Sequence, residues 1–468
     1  MRKNGAGLDL PIAIGVLVAS GELEPHLVRS TAFVGELGLD GSLRGVPGTV
    51  VLAESLRCFR LVVADRTARE AALAGGREVR TASTLRLLVD RLSGRIPWVE
   101  APDQSREGAT GGSHPGSHHA DHADHTDHAD HADHTDHTDH TVGPARPPID
   151  LADVRGQRLA RRALEVAAAG GHHLLMVGPP GSGKTMLATR LPDLLPPLDR
   201  STALETTRVH SVAGLPLPPS GLVSRPPFRA PHHGTSPVAM IGGGTAFMRP
   251  GEISLSHGGV LFLDELAEFS TLVLDALRQP LEEGQVRVSR SRGSTCFPAR
   301  FILVASMNPC PCGEGGATGR CRCSESARER YARRLSGPLL DRFDIAIWVD
   351  RPEIDELIGG QPGEATVAVA ARVSSARARA GERSVAMNAE LPGSSLDALA
   401  PLTPAAAAIL ERQVRSGSLT ARGLHRVRRL ARTVADLDAA GELVEESHVH
   451  EALMLRCRRG LLLGGEAR

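Results

Sequence analysis

Lysine is almost missing from this chain: of 468 residues only Lys3 and Lys184 are lysines, although Lys and Arg together number 54. Arginine carries nearly all the positive charge, so the ammonium kept at 184 marks a site that needs a compact, flexible point charge. Net charge is missing too. The 54 basic residues balance 54 acidic ones, which excludes a global field that gathers nucleic acid and leaves such contacts to local patches. Aromatics are few, with Trp98, Trp348, Tyr331 and nine Phe, which argues against bases stacking on an aromatic platform. No stretch reaches the ~18 apolar residues that a membrane span requires. Arg2-Lys3 ahead of an apolar run superficially resembles a signal peptide, but Asp9 and Pro11 interrupt it. Seven cysteines, four of them crowded between 310 and 323, do not make an extracellular disulfide framework. These absences predict a cytoplasmic protein with no membrane partner.

The length predicts two or three domains. Residues 1–95 alternate short apolar strands and helices, with Pro11–Ser20 and Thr49–Leu56 read as helices and Ala32–Leu37 and Phe59–Ala64 as strands. Residues 96–148 are dominated by Gly, Ser, Pro, His and Asp, and an Asp-His-Ala/Thr triplet repeats from Asp121 to His140. Nothing there builds a core, so the segment reads as a disordered linker, with weak metal chelation as the functional alternative. Residues 149–351 alternate helices with short β-rich runs (Leu174–Val177, Val260–Leu263, Phe301–Ala305 and Ile345–Val349) typical of buried parallel strands. Residues 352–468 turn helical, with helices expected over Glu364–Ala380, Pro404–Arg415, Ala421–Leu437 and Ser447–Arg458.

Gly178-Pro179-Pro180-Gly181-Ser182-Gly183-Lys184-Thr185 closes one of these strands and opens a helix. Small residues there let consecutive backbone N–H groups face phosphate oxygens; Lys184 reaches the β/γ-phosphates and Thr185 offers a hydroxyl to Mg²⁺. Asp264 and Glu265 follow Val260–Leu263. That spacing predicts two acids at the strand's C-terminal edge, beside a phosphate loop on a neighbouring strand, with Asp264 in the Mg²⁺ shell and Glu265 polarising the attacking water. Asn308 ends the next strand. It can orient the water or touch the γ-phosphate, or simply form the turn before Pro309. Cys310, Cys312, Cys321 and Cys323 lie on a Gly-rich loop. Four thiolates suit tetrahedral Zn²⁺, with a redox or structural role as the alternative. Residues 285–297 read as a hairpin with Arg287, Arg290 and Arg292 towards its tip; it is either a phosphate-binding feature or a solvated basic turn.

The phosphate loop, Leu263-Asp264-Glu265, Asn308 and Gly337-Pro338-Leu339-Leu340-Asp341-Arg342-Phe343-Asp344 together resemble an AAA+ ATPase of the magnesium-chelatase-like group. Arg229-Ala230-Pro231-His232-His233, Ile241-Gly242-Gly243-Gly244 and Asn308-Pro309-Cys310-Pro311-Cys312-Gly313 narrow the resemblance to the YifB/ComM family. It implies an α/β fold: an AAA+ P-loop core with a C-terminal helical lid and an N-terminal Lon-protease-like α/β domain. It further implies a homo-oligomeric ring, usually a hexamer, with ATP and Mg²⁺ between subunits. Arg342 is then the finger that enters a neighbour's site, or else a surface partner of Asp341; Arg422 is then the second sensor, tying the lid to the γ-phosphate. Such a hairpin can face the pore, and the implied activity is branch-migration helicase work on single-stranded or branched DNA. A magnesium-chelatase-type motor subunit and a protein-remodelling ATPase are the rivals. The Lon-like resemblance rests on residues 3–9 and 35–41. Gly7 and its neighbours stand where that family keeps its serine, and no Lys lies near Val50 to act as base, so peptide hydrolysis is not expected. Relatives extend upstream of the position matching Met1, so this domain is expected to be shortened.

Overall fold

A computed structural model describes residues 6–98, 149–244, 248–290, 293–315 and 321–456. Residues 3–5, most of the His-rich segment, the side chain of Arg290, and Arg292 lie outside the described residues. The chain divides into two compact units, residues 1–146 and 147–468.

The first unit holds a parallel three-stranded sheet of β1 (Thr31–Val34), β2 (Arg60–Ala64) and β3 (Glu78–Ala82), with β2 in the centre. Central position explains why Leu61, Val62 and Val63 are fully buried: each face of the sheet is covered. Val62 and Ala64 meet Leu10 and Ile14 of α1 (Asp9–Ala19) and Leu88 and Leu92 of α2 (Leu85–Leu92). Leu61 and Val63 face the opposite way, towards Val34, Ala53 and Ala71. The strand expected over Ala32–Leu37 is broken after Val34. The Gly35 carbonyl accepts the Leu10 N–H at 3.2 Å, and Glu36–Leu37 pairs antiparallel with Leu43–Arg44 instead.

In the second unit a five-stranded sheet carries the site. Its strands are β4 (Leu174–Val177), β5 (Phe228–Arg229), β6 (Val260–Leu263), β9 (Ile302–Met307) and β10 (Ile345–Trp348). They are ordered β10-β4-β9-β6-β5, and every pairing is parallel. Strands β7 (Gln285–Arg290) and β8 (Gly293–Pro298) form a separate antiparallel hairpin. The sheet strands read as unbroken apolar runs because both faces are buried. Leu174, Met176, Phe262, Val304 and Ile347 point into one core with Ala163 and Leu164 of α3 (Arg158–Gly170) and Val427 and Leu430 of α7 (Ala421–Leu437). Leu175, Leu261, Leu263, Leu303 and Ala305 point into the other, against Phe269, Leu274 and Leu339.

Helix α3 ends at Gly171, whose φ of +71° suits a glycine C-cap. The helices α5 (Thr366–Glu382), α6 (Pro404–Arg415), α7 and α8 (Glu446–Met454) follow, and their apolar faces join the first of these cores. The α/β core with a helical C-terminal part read from the sequence is therefore the observed fold. Sheet and C-terminal helices share a continuous interior, reinforced by Arg372–Glu165 at 2.6 Å and Arg162–Glu451 at 2.7 Å.

Candidate functional site

The phosphate loop leaves the C-terminal end of β4, where Gly178 is obligatory: a Cβ there would fall 2.1 Å from the Val349 carbonyl oxygen. Gly181 and Gly183 take φ of +76° and +83°, values that L side chains rarely adopt. The loop opens α4 (Lys184–Ala188). Lys184 is buried, and its Nζ donates to the carbonyls of Gly178 at 2.8 Å and Pro179 at 2.9 Å and to Ser182 Oγ at 3.3 Å. Burial pulls its pKa down; the Asp264 charge opposes this, Arg351 adds to it and Glu265 opposes it.

Asp264 lies at the exit of β6. The parallel order corrects one expectation: β6 is not next to β4, because β9 runs between them. The site closes regardless, since α4 reaches across. Thr185 Oγ1 donates to Asp264 Oδ2 at 2.7 Å, Ser306 of the intervening strand donates to Asp264 Oδ1, and the Glu265 N–H reaches the same oxygen at 3.1 Å. A hydroxyl beside a carboxylate is a hard-oxygen pair suited to Mg²⁺. Glu265 has φ +53° and ψ +50°, a left-handed conformation uncommon outside glycine. It is paired with His233, whose Nδ1 lies 3.3 Å from Glu265 Oε2. His232 and His233 follow the short edge strand β5, and the His233 ring meets Phe269 edge-on at 6.5 Å. Asn308 follows β9 and is half-buried at the same edge of the sheet.

Comparison with known proteins converges on one group. Residues 150–357 match the family model for magnesium chelatase, subunit ChlI, and residues 363–456 match its C-terminal model. Residues 1–65 match a further model, subunit ChlI of Mg-chelatase. The chain is 40% identical over 463 residues to competence protein ComM of Haemophilus influenzae, covering 98% of this chain and 84% of that protein. It is 39% identical over 464 residues to the uncharacterized protein YifB of Escherichia coli, again 98% and 84%. The 67 kDa magnesium-chelatase subunit of Heliobacterium mobile is 27% identical over 198 residues, 36% of this chain and 29% of that one. The chain belongs to the ComM/YifB family of magnesium-chelatase-like AAA+ ATPases.

In this ComM/YifB chain Arg342 stands apart from the phosphate loop. It precedes β10 by three positions, while the loop follows β4; the two strands run parallel with Ile345 opposite Leu174 and Trp348 opposite Val177. Arg342 and the loop thus lie at opposite ends of the strand pair, separated by about 10 Å of strand. The guanidinium pairs with Glu282. Burial lowers its pKa, helped by Arg426, Arg422 and Arg278. A cavity of about 550 Å³ opens here, lined among others by Arg342, Arg426, Arg429, Arg300, Glu282 and His173. Arg422, expected as the second sensor that ties the lid to the γ-phosphate, is among the charges acting on Arg342. The charges acting on Lys184 are Asp264, Arg351 and Glu265.

The four-cysteine loop of this family member packs on the phosphate loop, a contact with no signal in the sequence. Gly313, φ +78°, comes so close that a Cβ would sit 2.7 Å from Pro180. Arg351 donates to the Pro180 carbonyl at 3.0 Å and pairs with Glu314 at 2.6 Å. The Sγ atoms of Cys310, Cys312, Cys321 and Cys323 all lie within 4.8 Å of one another, and none of the four is in a disulfide. An all-thiolate set excludes hard cations and suits zinc. In the hairpin Val286, Val288 and Phe297 are buried while Arg287 is exposed.

His233 and Ser306 went unassigned in the sequence. His233 had a signal, a His-His pair within a family motif; Ser306 had none, because its role follows from strand order.

Proposed function

We propose that this chain is one subunit of a homo-oligomeric ring, a hexamer, that hydrolyses ATP at subunit boundaries and uses the cycle to move DNA. The observation that carries the reading is the separation of Arg342 from the phosphate loop of its own chain. A guanidinium held at the far end of the sheet, in a pocket it shares with Arg426 and Arg429, serves a triphosphate only if a second copy presents one.

Within one subunit Gly178 to Thr185 wrap the phosphates, Lys184 supplies the charge that follows the β/γ-phosphates, and Thr185 with Asp264 hold Mg²⁺. Glu265 polarises the attacking water, and His233 fixes its carboxylate. Asn308, at the tip of the central strand, reads the γ-phosphate. Arg342 of the adjoining copy neutralises charge that grows in the transition state, and Arg422 moves with it. The motor works in the cytoplasm, where its ATP is.

DNA as the cargo is supported by the exposed Arg287 on the β7–β8 hairpin, six copies of which would line a channel, and by the name competence protein carried by the Haemophilus relative. The work is branch migration of incoming strands. A chelatase-type motor is the second reading, favoured by the family models, although the likeness to the Heliobacterium chelatase subunit covers only 36% of this chain. ATP turnover measured with and without forked DNA, alongside particle mass in solution with an ATP analogue, tests the proposal. Stimulation by DNA and a hexameric mass are expected; a monomer indifferent to DNA at low salt contradicts it.

A further inference from the structure

The thiol cluster continues directly from the strand that the site depends on. Strand β9 ends at Met307, whose carbonyl accepts the Gly178 N–H at 3.2 Å. Asn308 and Pro309 follow, and Cys310 is already fully buried among the thiols. The Sγ separations are 3.3 Å for Cys310–Cys312, 3.7 Å for Cys310–Cys321 and 3.8 Å for Cys312–Cys321. Tetrahedral Zn²⁺ with Zn–S bonds of about 2.3 Å needs sulfurs about 3.8 Å apart. A disulfide needs about 2.05 Å. The cluster is built for one tetrahedral metal ion.

Its surroundings tie the cluster to the phosphate loop. The turn Cys310–Gly313 is closed by the Gly313 N–H to the Cys310 carbonyl at 3.0 Å and rests on Pro180 of the phosphate loop. The next residue, Glu314, holds Arg351, and Arg351 holds the Pro180 carbonyl. A metal held by the four thiols would fix the turn that carries Gly313 and Glu314, and so the Glu314 end of this strap.

We infer that Cys310, Cys312, Cys321 and Cys323 bind one Zn²⁺ whose occupancy holds the phosphate loop, through Gly313, Glu314 and Arg351 on Pro180, in its nucleotide-binding form. The coupling rests on the phosphate-loop reading above; the metal site does not.

The full chain is purified without added metal, its zinc and iron are counted by plasma mass spectrometry, and fluorescent ADP binding is measured before and after zinc release by a mercurial thiol reagent. One zinc per chain is expected, lost in Cys321→Ser/Cys323→Ser. Release weakens ADP binding about tenfold, within the usual range of coupling between sites, and zinc restores it once the reagent is displaced by excess thiol. Arg351→Ala keeps its zinc yet shows the same weakening, which separates the strap from a folding defect. Absence of stoichiometric zinc, or iron in its place, overturns the metal assignment. ADP affinity unchanged by release, with circular dichroism also unchanged, overturns the coupling. If Lys184→Ala leaves ADP affinity intact as well, the failure lies in the phosphate-loop reading and not in the strap.

Discussion

Thr185 and Asp264 are joined by a 2.7 Å hydrogen bond across a strand that belongs to neither of them. The bond exists because α4 starts above the sheet and projects its first turn over β9, which contributes Ser306 to the same carboxylate. Replacing Asp264 by Asn, or Thr185 by Ala, removes an oxygen ligand from the Mg²⁺ position. Turnover of ATP should fall by about a hundredfold or more, while nucleotide binding measured in EDTA persists. Equal loss of both would place these residues in binding alone.

His233 faces Glu265 at 3.3 Å and holds a residue already in a left-handed backbone. In His233→Ala the carboxylate loses its orientation but not its charge. We expect kcat to drop about tenfold with KM nearly unchanged, against a drop of two orders or more for Glu265→Gln. The double variant should be no worse than Glu265→Gln alone. Additive losses in a steady-state comparison would separate the two residues.

Much of this site is legible in the sequence because each piece is local. The phosphate loop needs glycines where φ is positive, and the apolar runs of β4, β6 and β9 announce strands buried on both faces. What is not legible is whatever depends on strand order. That β9 runs between β4 and β6, and so brings Ser306 to Asp264, follows from pairings that no local pattern encodes. The same holds for the approach of Gly313 to Pro180, residues far apart in the chain, and for the placing of Arg422 beside Arg342. In the first unit the expected strand Ala32–Leu37 fails at Gly35, because a long-range hydrogen bond from Leu10 outweighs local β propensity.

Asp436 is completely buried and accepts from Arg432 at 2.9 Å and from Asn388 at 2.7 Å, with Arg383 also paired to it. Arg432 is itself 1% exposed. Removing the carboxylate strands this guanidinium in the interior, so Asp436→Ala should cost about 3–5 kcal/mol. Chemical denaturation would register it as a large fall in midpoint or as insoluble protein. A variant as stable as the wild type would contradict the buried-pair account.

His173 accepts the Leu303 N–H on Nδ1 at 3.0 Å, which requires that nitrogen to be unprotonated. Burial pushes its pKa down to about 4, with Asp344 opposing and the neighbouring cations assisting. Unfolded, the group takes a proton near its ordinary value of 6.5, so between pH 6.5 and 4 the unfolded chain binds more protons and stability falls as pH falls. Above pH 6.5 His173 contributes no pH dependence. Melting temperature followed from pH 7 to pH 4 should therefore decline less steeply in His173→Asn than in the wild type; parallel curves would remove His173 from the account.

The central claim is that one copy lends Arg342 to the triphosphate held by another. Mixing Arg342→Ala chains with Lys184→Ala chains tests it most directly, since each variant alone lacks one half of every site. When the two co-assemble, boundaries that join an intact phosphate loop to an intact Arg342 form, and ATP hydrolysis should reappear in the mixture. No recovery from two variants that fold and associate normally would contradict the shared site.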